Sequence, residues 1–300
     1  MRIVSLLPSA TEIVCALGAG DQLVGVSHEC DFPSSVKGLP VLTSARIGTG
    51  SSAQIDRAVR DVIDNALSIY RVDDQLLAQL QPDVIVTQDL CEVCAVSLDD
   101  VRAAVARIAH REDIQIVSLS PTRLHHVMDD IDRVAAVLKT PSIRPQLERR
   151  IAAIRERALG GTKPRVATLE WIDPIMIGGT WMPELVELAG GIPIGATAGA
   201  PAPTVSLDNL TALAPDVVVV KPCGFSIARS LEERDLLLRI TERLPTARVY
   251  LTDGNAYFNR PGPRLVESLE IMATCVDPAK FADFLAIHGD AICVDLRSNV

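Results

Sequence analysis

Apolar and polar positions sort this chain into short buried strands and amphipathic helices. Ile143, Leu147, Ile151, Ile154 and Ala158 recur at steps of four, four, three and four. That spacing predicts one apolar stripe on a helix over Pro141–Leu159. Arg144, Glu148, Arg149, Arg150, Arg155, Glu156 and Arg157 cover the other faces; Pro141 and Pro145 suit its first turn and Gly160-Gly161 its end. A similar phrase flanks this helix on each side. Leu77–Val86 and Leu210–Val219 both read L-x-x-L-x-P-D-V-[IV]-V, a helix end running into a buried strand.

Before the central helix the pattern predicts strands at Arg2–Leu7, Leu23–Ser27, Asp83–Thr87 and Ile114–Leu119. Helices are predicted from Ser9 or Thr11 to Leu17, and over Asn65–Leu80, Leu98–Ala109 and Thr122–Leu138. After it come strands at Arg165–Leu169, Asp216–Lys221 and Arg248–Thr252, with Ala291–Val294 as an edge strand or a tail. Helices are predicted at Trp181–Ala189, Leu207–Leu213, Ser230–Leu244, Arg264–Cys275 and Ala279–Ile287. Such alternation implies parallel sheets with helices on both faces. The predicted fold is α/β: two Rossmann-like lobes with parallel sheets, residues 1–140 and 161–300, joined by a single long helix at 141–160.

Composition narrows the function classes. Three hundred residues with 48% hydrophobic content can bury a large core. A net charge of −9 argues against a nucleic-acid partner. No run of 18 apolar residues predicts a membrane span. The opening MRIVSLLPSATEIVCALGAG faintly resembles a leader, but Pro8, Thr11 and Glu12 interrupt it. A cytoplasmic monomer with no required cofactor is expected; a periplasmic or extracellular protein is the alternative if a leader has been removed. Seven cysteines, an odd number, do not suggest a disulfide framework in so long a chain. Cys15 and Cys275 lie in apolar helical patterns and read as core thiols.

In open parallel sheets, ligands bind beyond the carboxyl ends of the strands. That rule selects Leu7–Thr11, His28–Phe32, Gln88–Cys94 and Ser120–Pro121 in the first lobe. In the second it selects Glu170–Trp181, Pro222–Ser226 and Asp253–Arg260. Aromatics make up only 3% of the chain, yet Phe32, Trp171, Trp181, Phe225, Tyr257 and Phe258 fall in these loops. Their placement suggests a ligand with flat, apolar faces.

With these loops placed, the chain resembles the substrate-binding proteins of ABC importers, specifically the vitamin B12 (cobalamin) and iron-chelate group. RIVSLLPSATEIVCALGAGDQLVGVSHECDFP is similar to that group's opening, with its P-S-x-T-E helix start and D-[FY]-P loop. LLAQLQPDVIVT is similar to its L-x-P-D-[LV]-[IV] strand. LTDGNAYFNRPGPRLVESLE is similar to its last cleft loop, where aromatics precede an R-x-x-P-R helix start. The resemblance implies a non-enzymatic protein that holds a corrinoid or related metal chelate in the cleft between the lobes. It also implies docking on a membrane permease with a cytoplasmic ATPase. It puts Tyr257 and Phe258, with Trp171, Trp181 and Phe32, on the cleft wall. The stretch 44–73 is longer than the usual link between those strands.

The polar loops leave alternatives open. His28, Cys30, Cys91 and Cys94 together offer one nitrogen and three sulfurs, a soft-metal set. The same C-x-x-C, placed after a strand, suits a thiol-redox pair. Otherwise His28, Glu29, Cys91 and Cys94 line the cleft. Arg260 and Asp253 could bind polar groups of a ligand or each other. Glu170 reads as a cleft carboxylate or a surface charge, and Cys223 as a small loop residue. The first turn at Ser9-Ala10-Thr11-Glu12 reads as a cap that could also accept an anion. A cytoplasmic metal-handling or thiol-redox protein, and a ligand sensor on the same fold, are the rival readings.

Overall fold

The computed structural model describes residues 1–64, 70–88 and 114–294, the side chains of 63, 64, 293 and 294 excepted. The chain divides into two compact units. One holds residues 1–50, 54–121 and 125–145; the other holds 51–53, 122–124 and 146–300.

Short runs of Val, Ile and Leu form the first unit's sheet because both its faces are covered. Its strands are β1 (Ile3–Ser5), β2 (Leu23–Gly25), β5 (Val84–Gln88) and β6 (Gln115–Leu119), in the order β2-β1-β5-β6, all parallel. Every residue of β1 and β5 is buried. Val4, Leu6, Leu42, Leu77 and Ile85 form one core cluster on this sheet. Helix α1 (Pro8–Ala16) follows β1, with Pro8 where a missing N–H costs nothing.

The long 44–73 stretch departs from expectation. A continuous helix over Asn65–Leu80 does not form. Instead β3 (Thr43–Ala45) pairs antiparallel with β4 (Tyr70–Val72), with α2 (Ser52–Asp64) between them in sequence and α3 (Asp74–Leu80) after. The break has a local cause: Asp73 is the N-cap of α3 and accepts from Leu76 N at 2.9 Å. The helix predicted at Leu98–Ala109 lies outside the described residues. Helix α4 (Leu124–Leu138) follows β6, and α5 (Arg144–Ala158) occupies the central amphipathic stretch.

The second unit is built on β7 (Arg165–Trp171). It is flanked on one side by β8 (Met176–Ile177) and β9 (Ile192–Pro193), and on the other by β10 (Val217–Val220), β11 (Arg248–Thr252) and β12 (Ile292–Val294). β7, β9, β10 and β11 are parallel; β8 and β12 run antiparallel at the edges. The residues of 291–294 thus complete a sheet edge. Helix α6 (Met182–Leu188) and α7 (Leu207–Ala212) precede β10. The predicted Ser230–Leu244 helix is split into α8 (Ile227–Leu231) and α9 (Arg234–Arg243). Helices α10 (Leu265–Val276) and α11 (Ala282–His288) close the chain, and every residue of α10 except Glu267 is buried. Burial pushes the Cys275 thiol up, as suits a core residue.

The two L-x-x-L-x-P-D-V phrases build the same corner twice. In the first unit Gln81 takes a left-handed φ of 44°, and Asp83 accepts from Arg2 N at 2.8 Å. In the second Ala214 takes φ 45°, and Asp216 accepts from Arg165 N at 2.7 Å. The two arginines then cap the end of the preceding helix, Arg2 on Leu80 O and Arg165 on Leu213 O and Ala214 O.

Candidate functional site

Strand order marks where each sheet holds a crevice. The chain turns from β1 to β2 on one side and later returns to place β5 on the other. It does the same around β7, with β8 and β9 on one side and β10 on the other. Such reversals open a crevice at the carboxyl ends of the two central strands.

In the first unit that end is built from hydroxyls and a thiol. Thr11 on α1 donates to Ser5 Oγ at 2.8 Å and lies 3.1 Å from Cys30 Sγ. Thr43 on β3 donates to Ser27 Oγ at 2.9 Å and meets both His28 N (3.0 Å) and His28 Nδ1 (2.7 Å). Tyr70 on β4 donates to Glu29 at 3.0 Å, and its ring lies 5.2 Å from that of His28. The long 44–73 stretch therefore buttresses the His28–Phe32 loop. Phe32 is 44% exposed on that loop. Among the described residues no group of three or more His, Cys, Asp or Glu side chains is arranged to hold a metal ion. Cys91 and Cys94 lie outside the described residues.

In the second unit the strand ends carry charge and rings. Trp171, at the end of β7, meets Phe225 with ring centroids 5.1 Å apart and planes tilted by 53°. The Arg229 guanidinium lies 4.0 Å from the centroid of the Phe225 ring, and Arg264 lies 5.5 Å from Tyr257. Tyr257 and Trp171 are half-buried.

Trp181 and Phe258 take a different place from the one expected. They are 6% and 1% exposed, and Phe225, also expected to line the cleft, is 5% exposed against the Arg229 guanidinium, so all three offer a ligand almost no surface as packed. The left-handed backbone at Phe258 turns the chain here. Trp181 Nε1 donates to Phe258 O at 2.8 Å, and Phe258 N donates to Ser268 Oγ at 2.8 Å. The pair forms a floor beneath the loop. Arg260 is also buried and donates to Asn255 Oδ1 at 3.2 Å, within its own loop. Asp253 accepts from Asn255 N and Ala256 N at 2.9 and 2.8 Å, closing a turn rather than pairing with Arg260. Cys223 is exposed, and its N–H donates to Glu170 O at 3.0 Å.

Lys221 and Asn259 were missed by the sequence reading. Lys221 follows the four valines of β10 and is fully buried. Its Nζ donates to Asn259 Oδ1 at 2.8 Å and reaches Glu170 Oε2 at 3.3 Å. The available signal was a lone cation ending an apolar strand, a position that demands a partner.

Between helices, His288 Nε2 on α11 lies 2.7 Å from Glu270 Oε2 on α10, and Arg150 Nη2 on α5 donates to Glu270 Oε1 at 2.8 Å. The His288 ring stands edge-on to Tyr257, 6.3 Å away. Burial pushes the Glu270 carboxyl up, but hydrogen bonds from His288 and Arg150 outweigh it and hold the group below the usual glutamate range.

Comparison with known proteins bears on what such loops do. The family model described as periplasmic binding protein matches residues 3–240. The vitamin B12-binding protein of Yersinia pestis is 25% identical over 232 residues, covering 73% of this chain and 69% of that protein. Among solved structures, the periplasmic vitamin B12-binding protein of Vibrio cholerae superposes with a TM-score of 0.65 at 21% identity, covering 93% of this chain and 97% of that one. The periplasmic heme-binding protein of the same organism gives 0.68 at 21% identity, over 93% and 99%. A periplasmic heme-binding protein of Pseudomonas aeruginosa gives 0.67 at 18% identity, over 93% of each chain. These matches overturn the cytoplasmic placement expected from the N-terminus, because the family and these solved relatives are periplasmic. With parallel α/β sheets, ring-bearing strand-end loops and a family match from the first strand to α9, the chain belongs to the periplasmic binding protein family and is a ligand-binding protein.

Proposed function

We propose that the chain captures a flat, metal-chelating macrocycle, a corrinoid or a heme-like tetrapyrrole, and presents it to an ABC permease driven by a cytoplasmic ATPase. The observation that carries this reading is the half-buried pair of rings at the strand ends, Trp171 after β7 and Tyr257 in the loop after β11, with the buried Phe225 packed against Trp171. Ring faces at a strand-end crevice suit a planar apolar ligand. Arg264, beside the Tyr257 ring, suits the acidic or amide groups at such a ligand's rim. Phe32, His28 and Glu29 are the first unit's candidates for ligand contact. Relatives named for vitamin B12 and for heme support the ligand class without choosing between its members. Titration with cyanocobalamin and with hemin, followed by absorbance and tryptophan quenching, tests it. One of the two is expected to bind one-to-one in the micromolar range or tighter; failure of both would overturn the reading.

A further inference from the structure

Lys221 is among the largest fully buried side chains of the described residues. An ammonium is costly out of water unless its charge and donors are used. Here they are used to join loops. Nζ meets Glu170 Oε2 at the end of β7 and Asn259 Oδ1 in the loop after β11. Glu170 Oε2 also accepts from Gly179 N at 3.3 Å, after β8. Asn259 Nδ2 donates back to Lys221 O at 3.0 Å and to Gly254 O at 2.8 Å. The backbones around the network are pressed together. A Cβ on Gly178 would stand 2.6 Å from Thr168 Oγ1 and 3.2 Å from Lys221 Cε, and one on Gly254 would stand 2.1 Å from Pro222 O. The rings hang from these same segments: Trp171 directly after Glu170, Phe225 in the turn after Lys221, and Tyr257 just before Asn259.

We propose that Lys221 is a positioning residue for ligand binding. It fixes the Trp171, Phe225 and Tyr257 loops in one arrangement, through Glu170 and Asn259, without touching the ligand. The inference rests on the aromatic reading above. A buried ion pair adds little net stability compared with well-packed apolar groups. What this pair supplies is the geometry of three separate loops.

The test uses the full chain in a Trp181→Phe background, so that emission reports Trp171 alone. Lys221→Met is expected to lower the melting temperature and to weaken cyanocobalamin or hemin binding about tenfold or more, as lost preorganisation does. It is also expected to shift ligand-free Trp171 emission to the red and increase acrylamide quenching. Lys221→Met combined with Glu170→Gln removes both charges. It should recover most of the melting temperature but neither the affinity nor the emission. Recovery of all three would reduce Lys221 to a charge balance and overturn the proposal. So would wild-type emission and affinity in Lys221→Met. If Lys221→Met does not fold, Asn259→Leu carries the test: it keeps the ion pair, frees the Tyr257 loop, and should weaken binding at an unchanged Trp171 spectrum. Undiminished affinity there would overturn the proposal too. If the wild-type chain binds neither probe, the ligand class fails alone, and the emission comparison still decides the role of Lys221.

Discussion

The strand ends of the two units solve the same topological problem with different chemistry. Both have a reversal beside the first strand, and both enter the next strand through the same Pro-Asp corner. At the first unit's strand ends Thr11, Ser5, Cys30, Thr43 and Ser27, all but Cys30 buried, are joined by neutral hydrogen bonds. In the second the strand ends carry the half-buried rings of Trp171 and Tyr257 and are clamped by a buried cation. Hydroxyl chains re-pair at little cost when a neighbour moves. A buried ammonium does not, since parting it from its half-buried carboxylate leaves an uncompensated charge. The second unit's strand-end loops are therefore expected to be the more rigid of the two.

The comparison breaks most easily at the rings. Trp171→Ala should weaken macrocycle binding by about 2 kcal/mol, roughly thirtyfold, as expected for a central aromatic anchor; an affinity within threefold of wild type would contradict that role. Next comes the support behind Tyr257. Glu270→Gln should lower the melting temperature at pH 7 by roughly 3–6 °C, from about 1.5 kcal/mol of lost charge-assisted hydrogen bonding. The sign with pH follows from the lowered folded-state pKa of Glu270. Its stabilisation is fully present above the unfolded glutamate value and is lost as pH falls through the folded one. Melting curves of wild type and variant should therefore converge on acidification below pH 4, and a constant gap would contradict the assignment. The smallest effect belongs to the first unit. Thr43→Val cuts the hydroxyl anchor of the His28 loop and should cost about 1 kcal/mol of stability with less than threefold change in affinity. A larger loss of affinity than that of Trp171→Ala would reverse the roles of the two units. One zinc per chain that disappears in Cys91→Ser would likewise move the functional centre to the first unit.

The sequence made some of this legible because the physics is local. Apolar periodicity fixed the helix at 144–158, and the repeated Pro-Asp phrase marked the entries to β5 and β10. The strand-end rule then found the loops of Trp171, Phe225 and Tyr257. What it missed depends on contacts between distant residues. Tyr70–Val72 carried a helical-looking context, and only pairing with Thr43–Ala45 makes it a strand. Lys221, Glu170 and Asn259 are far apart in sequence, so nothing local announces that they meet. Phe258 looked like a lining residue because its loop is polar, but the left-handed turn and the Trp181 bond put it inside. The N-terminus gave the wrong compartment, because strand and helix patterning says nothing about where a chain works.

The most direct test of the central claim is a paired titration of wild type and Trp171→Ala with cyanocobalamin and with hemin. The account predicts one-to-one binding of at least one of them to wild type, quenching of Trp171, and a roughly thirtyfold weaker Kd in the variant. Equal Kd values for the two proteins, or no binding by wild type, would contradict it.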